Sequence, residues 1–449
     1  MPSNGELSAL ALAGVCSDVA YGYTESATTA PVGPRFLRIT DIQGGRFDWS
    51  NVPYCTASAE SAKKYALQIG DIVVARTGNS TGENAQVWAL DGPAVFASYL
   101  IRFRVDPKKA NPFFVGYQLR TQRFRDYVMA VRGGSAQPGA NAKQLGGFEL
   151  LLPERSYQDE TVEVLRELDR RIDLLRQTNT SLESIAQALF KSWFIDFDPV
   201  RTKAEGREPE GMDAATAALF PAEFEASALG LIPKGWAASS LGALCKAAGG
   251  WIQTGPFGSQ LHASDYLDAG IPVVMPQDMK GRRVSEDRIA RVSQSNADRL
   301  SKHKLEIGDI VFSRRGDVGR HATVSEREVG WLCGTGCLLV RPGPQSQSPA
   351  FLSQALAYPL SIEWLQRHAV GATMPNLNTG ILEALPLLSP VPEVLKRFEE
   401  LVGPLERRIT LNDAHTKTLE EVRDAVLPRL IAGTLTVPNA EVRAEEVPA

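Results

Sequence analysis

Two polar turns, 238 residues apart, carry side chains suited to reading another molecule: Arg76-Thr77-Gly78-Asn79-Ser80 and Arg314-Arg315-Gly316-Asp317-Val318-Gly319-Arg320. Arginine can bond guanine through two N–H groups, asparagine and glutamine can do the same to adenine, and backbone N–H groups on glycine turns can meet phosphates. Arg76, Thr77, Asn79, Ser80, Arg314, Arg315 and Arg320 are therefore candidate DNA contacts. So are Gln253, Thr254, Ser259 and Gln260 in the stretch 252–260, Gln137 and Asn141 in the Gly/Asn/Pro-rich stretch 133–147, and Thr373, Asn376 and Asn378 in 371–380. For any one of them an ordinary surface turn explains the residue equally well. As a set they keep their places between the two halves of the chain while changing their side chains, as expected of two modules that read different things.

Covalent chemistry is poorly provided for. Asn111-Pro112-Phe113-Phe114 approaches the Asn-Pro-Pro-aromatic pattern that holds an adenine amino group during methyl transfer. The matching positions in the second half read Ser348-Pro349-Ala350-Phe351, which keeps the chemistry of a helix start and loses that of base binding. No GxxxxGK[ST] loop and no H-E-x-x-H pair occurs, and His262, His303, His321, His368 and His415 are dispersed. No strand-turn-helix motif marks a nucleophilic Ser or Cys. Of Cys16, Cys55, Cys245, Cys333 and Cys337 only the last two are close, with no partner at zinc-finger spacing, so they read as small core residues. Neither catalytic residues nor a metal site is expected.

The elements that position the turns form a duplicated unit. Asp41-Ile42-Gln43-Gly44 meets Asp278-Met279-Lys280-Gly281 at an offset of 237; Leu67 to Val73 meets Leu305 to Val311 at 238; Arg104 meets Arg341, Pro138 meets Pro375 and Asn141 meets Asn378 at 237. In each block short β-rich runs (34–40, 70–77 and 98–105; 271–276, 308–315 and 336–342) precede a helix opened by Asn111-Pro112 or Ser348-Pro349, and an apolar strand ends at Pro153 or Pro390. A long helix follows each block. In the first, Leu165, Leu168, Ile172, Leu175, Asn179, Leu182, Ala186, Leu189 and Trp193 recur at steps of three and four, the seam of a coiled coil. The seam returns as Val402, Leu405, Ile409, Asn412, Thr416, Leu419, Val426 and Leu430, so the first helix is expected to find its partner in the same chain. Gly403-Pro404 predicts a kink or a fresh start in the second helix. Residues 199–236 read as a connector anchored by Leu219, Phe220 and Phe224, and the Pro- and Glu-rich stretch from Gly433 as disordered.

At 449 residues, with 43% hydrophobic and 22% charged residues, the chain calls for two or more ordinary globular domains. No apolar run is long enough to span a membrane and no basic leader precedes one, so a cytoplasmic location is expected. The net charge of −4 conceals a split: residues 1–153 and 234–390 are each +3 and the remainder is −10. The two blocks are thus mildly basic, which permits DNA binding without requiring it.

The central LDRRIDLLRQTNTSLESIAQALFKSWFIDFDPVR, the stretches KAEGREPEGMDAATAALFP, IPKGW…IQTGPFGSQL and GDIVFSRRGDVGR, and the C-terminal LEEVRDAVLPRLIAGTL together resemble the specificity subunit of type I restriction-modification systems. The resemblance covers essentially the whole chain. It implies an α+β fold with two mixed, strand-rich target-recognition domains separated by two long antiparallel coiled-coil helices with pseudo-two-fold symmetry. The boundaries expected are 1–153 and 234–390 for the recognition domains, 154–198 and 391–432 for the spacer helices, 199–233 for a linker and 433–449 for a tail. It further implies no cofactor on this chain, double-stranded DNA as ligand, and two methyltransferase subunits that use S-adenosylmethionine, with an ATP- and Mg-dependent translocase and nuclease subunit in the full complex. About 30 helical residues at 1.5 Å span roughly 45 Å, comparable with one DNA turn of about 34–36 Å. That length suits a bipartite, asymmetric target. The competing expectation is a self-contained adenine methyltransferase using Asn111 to Phe114.

Overall fold

The computed structural model describes residues 7–133, 139–371 and 375–435. It divides into two units, Met1–Leu174 with His415–Ala449, and Leu175–Ala414, so that each unit holds one block and part of each long helix.

In the first unit Cys16–Tyr21 (β1), Ile72–Ala75 (β2), Asn84–Gln86 (β3) and Leu100–Val105 (β4) form an antiparallel sheet in the order β1-β4-β2-β3. The run Ile72-Val73-Val74-Ala75 is apolar throughout because both faces of the sheet are covered. Ile72, Val74, Ile101 and Phe103 join one core with Phe114 and Tyr117, while Val73, Ala75 and Leu100 join another with Leu37 and Phe96. The helix Pro112–Leu119 (α1) packs on the first of these cores. Asn111 caps it, the Oδ1 accepting from the N–H of Phe113 at 2.8 Å. A short helix, Ala142–Gly146 (α2), leads to the strand Glu149–Leu152, paired with Ser8–Ala11.

The second unit repeats the plan. Trp251–Thr254 (β5), Ile310–Ser313 (β6), His321–Thr323 (β7) and Cys337–Arg341 (β8) lie in the order β5-β8-β6-β7, all antiparallel. Pro349–Ala357 (α4) takes the place of α1, Thr379–Glu383 (α5) that of α2, and Pro386–Ser389 pairs with Ala237–Ser240. The register is retained: Ile72 lies opposite Phe103 and Ile310 opposite Val340. One ion pair fixes it in both copies. Arg104 makes two 2.7 Å bonds to Asp71, and Arg341 makes bonds of 2.9 and 2.7 Å to Asp309, with both aspartates 1% exposed. Each carboxylate also accepts the N–H three residues before it, from Gln68 or Glu306, which shapes the turn into the strand. The repeated Gly-Asp-Ile-Val thus preserves a structural pair, and breaking a buried pair costs about 3–5 kcal/mol.

The long helices are Arg155–Phe194 (α3) and Pro392–Ile431 (α6), 40 residues each, so the helical pattern begins well before Leu165. Along α3, Leu165, Ile172, Asn179, Ala186 and Trp193 are buried, and Leu168, Leu175, Leu182 and Leu189 half-buried between them. Val402, Ile409, Asn412, Thr416 and Leu430 of α6 are buried likewise, and Leu405, Leu419 and Val426 half-buried. Within the first unit Arg423 of α6 reaches Asp169 of α3 at 2.9 Å; within the second Asn412 donates to Asn179 at 2.8 Å. In the first unit the earlier Tyr157 reaches the later Leu435, just past α6, and in the second the later Phe194 lies 5.0 Å from the earlier Phe398, so the two helices run antiparallel in each unit.

The expected fresh start at Gly403-Pro404 is corrected: α6 passes through both residues as one helix. Pro404 is exposed, so water can meet the carbonyl its missing N–H leaves open. Gly403 is there for space. A Cβ at that position would stand 2.6 Å from Oε1 of Glu399, whose other oxygen accepts from Ser348 Oγ at 2.8 Å and the Ala350 N–H at 3.0 Å at the start of α4. The connector is folded, with helices at Asp198–Ala204 and Ala214–Ala218 and a hairpin at Phe224–Ser227 and Gly230–Pro233. Phe220, 1% exposed, lies edge-on to Trp193 at 5.0 Å, while Leu219 and Phe224 pack around the same core. Of the C-terminal stretch, Leu435 accepts from the Tyr157 hydroxyl at 2.6 Å, and residues beyond it lie outside the described part.

Candidate nucleic-acid interface

In the first unit three chain segments meet at one end of the sheet, where β1 stops at Tyr21, β2 stops at Ala75 and β4 begins at Leu100. Arg76, the next residue after β2, is held from both sides: its N–H donates to Tyr99 O at 3.0 Å and its carbonyl accepts from the Ala140 N–H at 2.9 Å. Thr77 then bridges Gly139. The Arg76 guanidinium lies 4.9 Å from the centre of the Tyr21 ring, and the Tyr21 hydroxyl accepts from the Ala142 N–H at 3.0 Å.

The second unit builds the same junction. Arg314 donates its N–H to Gly336 O at 2.8 Å, its carbonyl accepts from the Leu377 N–H at 2.8 Å, and Arg315 bridges Asn376. Gly316 donates to Pro375 O at 3.0 Å, and the Ser313 hydroxyl donates to Arg315 O at 2.9 Å. The strand that flanks the arginine turns away at a glycine in each copy. A Cβ on Gly22 would fall 2.1 Å from Ala97 O, and one on Gly255 would fall 2.0 Å from Gly334 O, so only glycine admits the approach.

The arginine turns and the Gly/Asn/Pro-rich loops, far apart in sequence, are therefore joined in both units. Arg76 and Thr77 meet the 139–141 segment; Arg314 and Arg315 meet Asn376, with Thr254 at the neighbouring strand end. Arg315 is exposed and Arg314 half-buried. With its amide nitrogen turned inward, Asn376 donates to the carbonyls of Arg314 and Leu377 at 3.1 and 3.2 Å, supporting the turn. Asn141 and Asn378 cap α2 and α5, their Oδ1 atoms accepting from Gln144 at 2.9 Å and Ile381 at 2.8 Å. Asn79 is exposed on its turn, and Ser80 O accepts from the Glu83 N–H.

Other candidates point elsewhere. Gln253 donates to Lys302 O at 2.7 Å, on the opposite face of its strand from Thr254. Gln260 closes its own turn by accepting from the Phe257 N–H at 3.0 Å, beside exposed Ser259. Arg320 pairs with Asp317 at 3.0 Å and, with Lys280, Arg282 and His321, lines a cavity of about 530 Å³. Gln137 and Thr373 lie outside the described residues.

Sequence reasoning missed Tyr21 and Tyr99, the second 61% exposed, and Val370, 63% exposed and bridged to Asn376 at the junction of the second unit. Aligning the sheets makes Tyr21 the counterpart of Thr254, and Tyr99 that of Gly336, a correspondence that carries no residue identity to reveal it. Guanidinium groups on a pinned backbone, beside aromatic and aliphatic side chains, suit the edges of bases and the thymine methyl group.

Among the described residues no comparable arrangement supports catalysis. The Asn111 amide nitrogen donates to Asp159 at 2.6 Å and its oxygen caps α1, so both ends of the amide are engaged. Burial pushes the thiols of Cys55 and Cys245 up to about 11 and that of Cys16 to about 12, keeping them protonated and unreactive near neutrality. Among the described residues no cluster of three or more His, Cys, Asp and Glu could hold a metal, and no helix is long and apolar enough to cross a membrane.

Comparison with known proteins agrees with this architecture. The chain is 26% identical over 440 residues to the type I restriction enzyme HindI specificity subunit of Haemophilus influenzae, covering 89% of this chain and 94% of that protein. It is 25% identical over 329 residues to the MjaIX specificity subunit of Methanocaldococcus jannaschii, 72% and 69% of the two chains. The crystal structure of a type I restriction-modification S subunit from M. genitalium shares the fold, with a TM-score of 0.58 at 14% identity over 96% of this chain and 97% of that one. A family model described as the type I restriction modification DNA specificity domain matches twice, at residues 33–184 and 233–421. Matched by that model in both of its halves, the chain belongs to the type I restriction-modification DNA specificity family.

Proposed function

We propose that this chain is the sequence-reading subunit of a type I restriction-modification complex, that it performs no covalent chemistry, and that each half reads one half-site of a bipartite, asymmetric DNA target. The observation that carries the reading is the strand-end junction built twice. An arginine backbone is pinned by equivalent bonds in both copies, while the side chains around it differ: Tyr21, Thr77 and Tyr99 in one, Thr254, Arg315 and Gly336 in the other. Equal scaffolds with unequal contact residues are what two different half-sites require. We assign recognition to residues 1–153 and 234–390, spacing to 154–198 and 391–432, connection to 199–233, and no reading role to 433–449. The methylating partner supplies S-adenosylmethionine and the adenine chemistry, two copies of it docking on this chain, and a translocase and nuclease subunit brings ATP and Mg. All of this takes place in the cytoplasm. Support for two copies comes from Leu174 and Ile185 of α3, whose counterparts at 237 residues are Leu411 and Val422 of α6; all four are exposed on the helices. The rival, a methyltransferase acting alone through Asn111, is opposed by that residue's engaged amide.

The test is selection of bound duplexes from a randomised library by the full-length chain and its variants. Arg76→Ala should relax one position of one half-site, and Arg314→Ala with Arg315→Ala should relax the other half-site, each by about 1–3 kcal/mol per lost bidentate contact. Unchanged preferences in both variants would refute the assignment of these turns.

A further inference from the structure

We infer that Tyr21 is a positioning residue for base reading in the first module, holding Arg76 to a guanine, and that among the described residues of the second module no aromatic ring gives Arg314 the same support. The inference rests on the DNA-reading assignment above and adds an unequal stringency to it. Arg76 carries its guanidinium 4.9 Å from the centre of the Tyr21 ring, within the range of a cation–π contact. The ring is itself fixed, because its hydroxyl accepts from the Ala142 N–H at 3.0 Å, where the loop that bridges Thr77 enters α2. Backbone and side chain of Arg76 are thus both oriented before any ligand arrives, which removes part of the ordering cost of a bidentate contact. Tyr21 is nevertheless 42% exposed, so its outer face stays open to a groove. At the same place in the second sheet stands Thr254, opposite Leu338 as Tyr21 is opposite Ile101, and a threonine offers no ring to Arg314.

Duplex selection with the full-length chain tests this through a readout that a purely structural role would not move. The wild type should show a guanine preference at one position of one half-site, steeper than any guanine preference in the other. Tyr21→Leu should weaken that single preference by about fivefold to tenfold, the scale of one lost cation–π contact, and leave the other half-site untouched. Tyr21→Phe, which keeps the ring but loses the hydroxyl that Ala142 holds, should fall between the wild type and Tyr21→Leu. If Tyr21→Leu retains the wild-type preference, or relaxes both half-sites together, the positioning role is overturned. If the wild type selects no sequence at all, the DNA-reading assignment itself fails, and the two failures are distinguishable.

Discussion

His321 sits where a charge is costly. It is 4% exposed, stacked on Phe312 at 4.9 Å, with Nδ1 against Gly319 O at 3.1 Å. Burial, with Arg282 adding to it, pulls its pKa down to about 4, although the Gly319 carbonyl acts in the opposite sense. The unfolded chain, titrating near 6.5, then binds more protons than the folded one between about pH 6.5 and 4, so stability is full above that window and falls as pH drops through it. The loss reaches at most roughly 3 kcal/mol by pH 4. Thermal denaturation across this range should show a steep decline for the wild type and a shallower one for His321→Phe; equal slopes would contradict the assignment. Legibility at this scale was uneven. Arginines on glycine turns after apolar runs stand out because a turn cannot bury them. Asn141 and Asn378 were ambiguous because asparagine suits a helix cap as well as a base edge, and Tyr21 was hidden because its strand, Cys16–Tyr21, carries no apolar run to mark it.

The helices were the most legible elements, since a seam at steps of three and four is visible without any partner. What the pattern could not tell is how its polar members are used. Asn179 and Asn412, 7% and 3% exposed, bond to each other, and Asn179 also donates to Asp413 at 2.7 Å. Burial raises the Asp413 carboxyl above its usual range, against the pull of Arg283. Asn179→Ala would leave the Asn412 amide buried without this acceptor and is expected to destabilise the chain by about 1–3 kcal/mol. Replacing both asparagines by leucine should recover most of that loss at the expense of register specificity. Urea unfolding of these variants beside the wild type decides it, and a neutral Asn179→Ala would show the pair to be incidental. Pro404 marks the opposite limit of pattern reading: proline predicts an interruption, yet an exposed position and the space Gly403 leaves for Glu399 let the helix continue.

For the whole molecule, duplication is the organising fact, and it was legible because structural residues repeat where contact residues do not. Asp71 with Arg104 and Asp309 with Arg341 recur at nearly constant spacing because each pair holds a sheet together. The junction residues diverge, as the proposed reading of two different half-sites requires. On the proposed reading the long helices, 40 residues each, set the distance between two readings rather than the content of either. Methylome sequencing of a host carrying this chain with its methyltransferase tests that claim most directly. Two modules on a spacer predict adenine methylation within an asymmetric motif of two short half-sites, about one helical turn or ~10 bp apart centre to centre, separated by unread bases; a continuous or palindromic motif would contradict it.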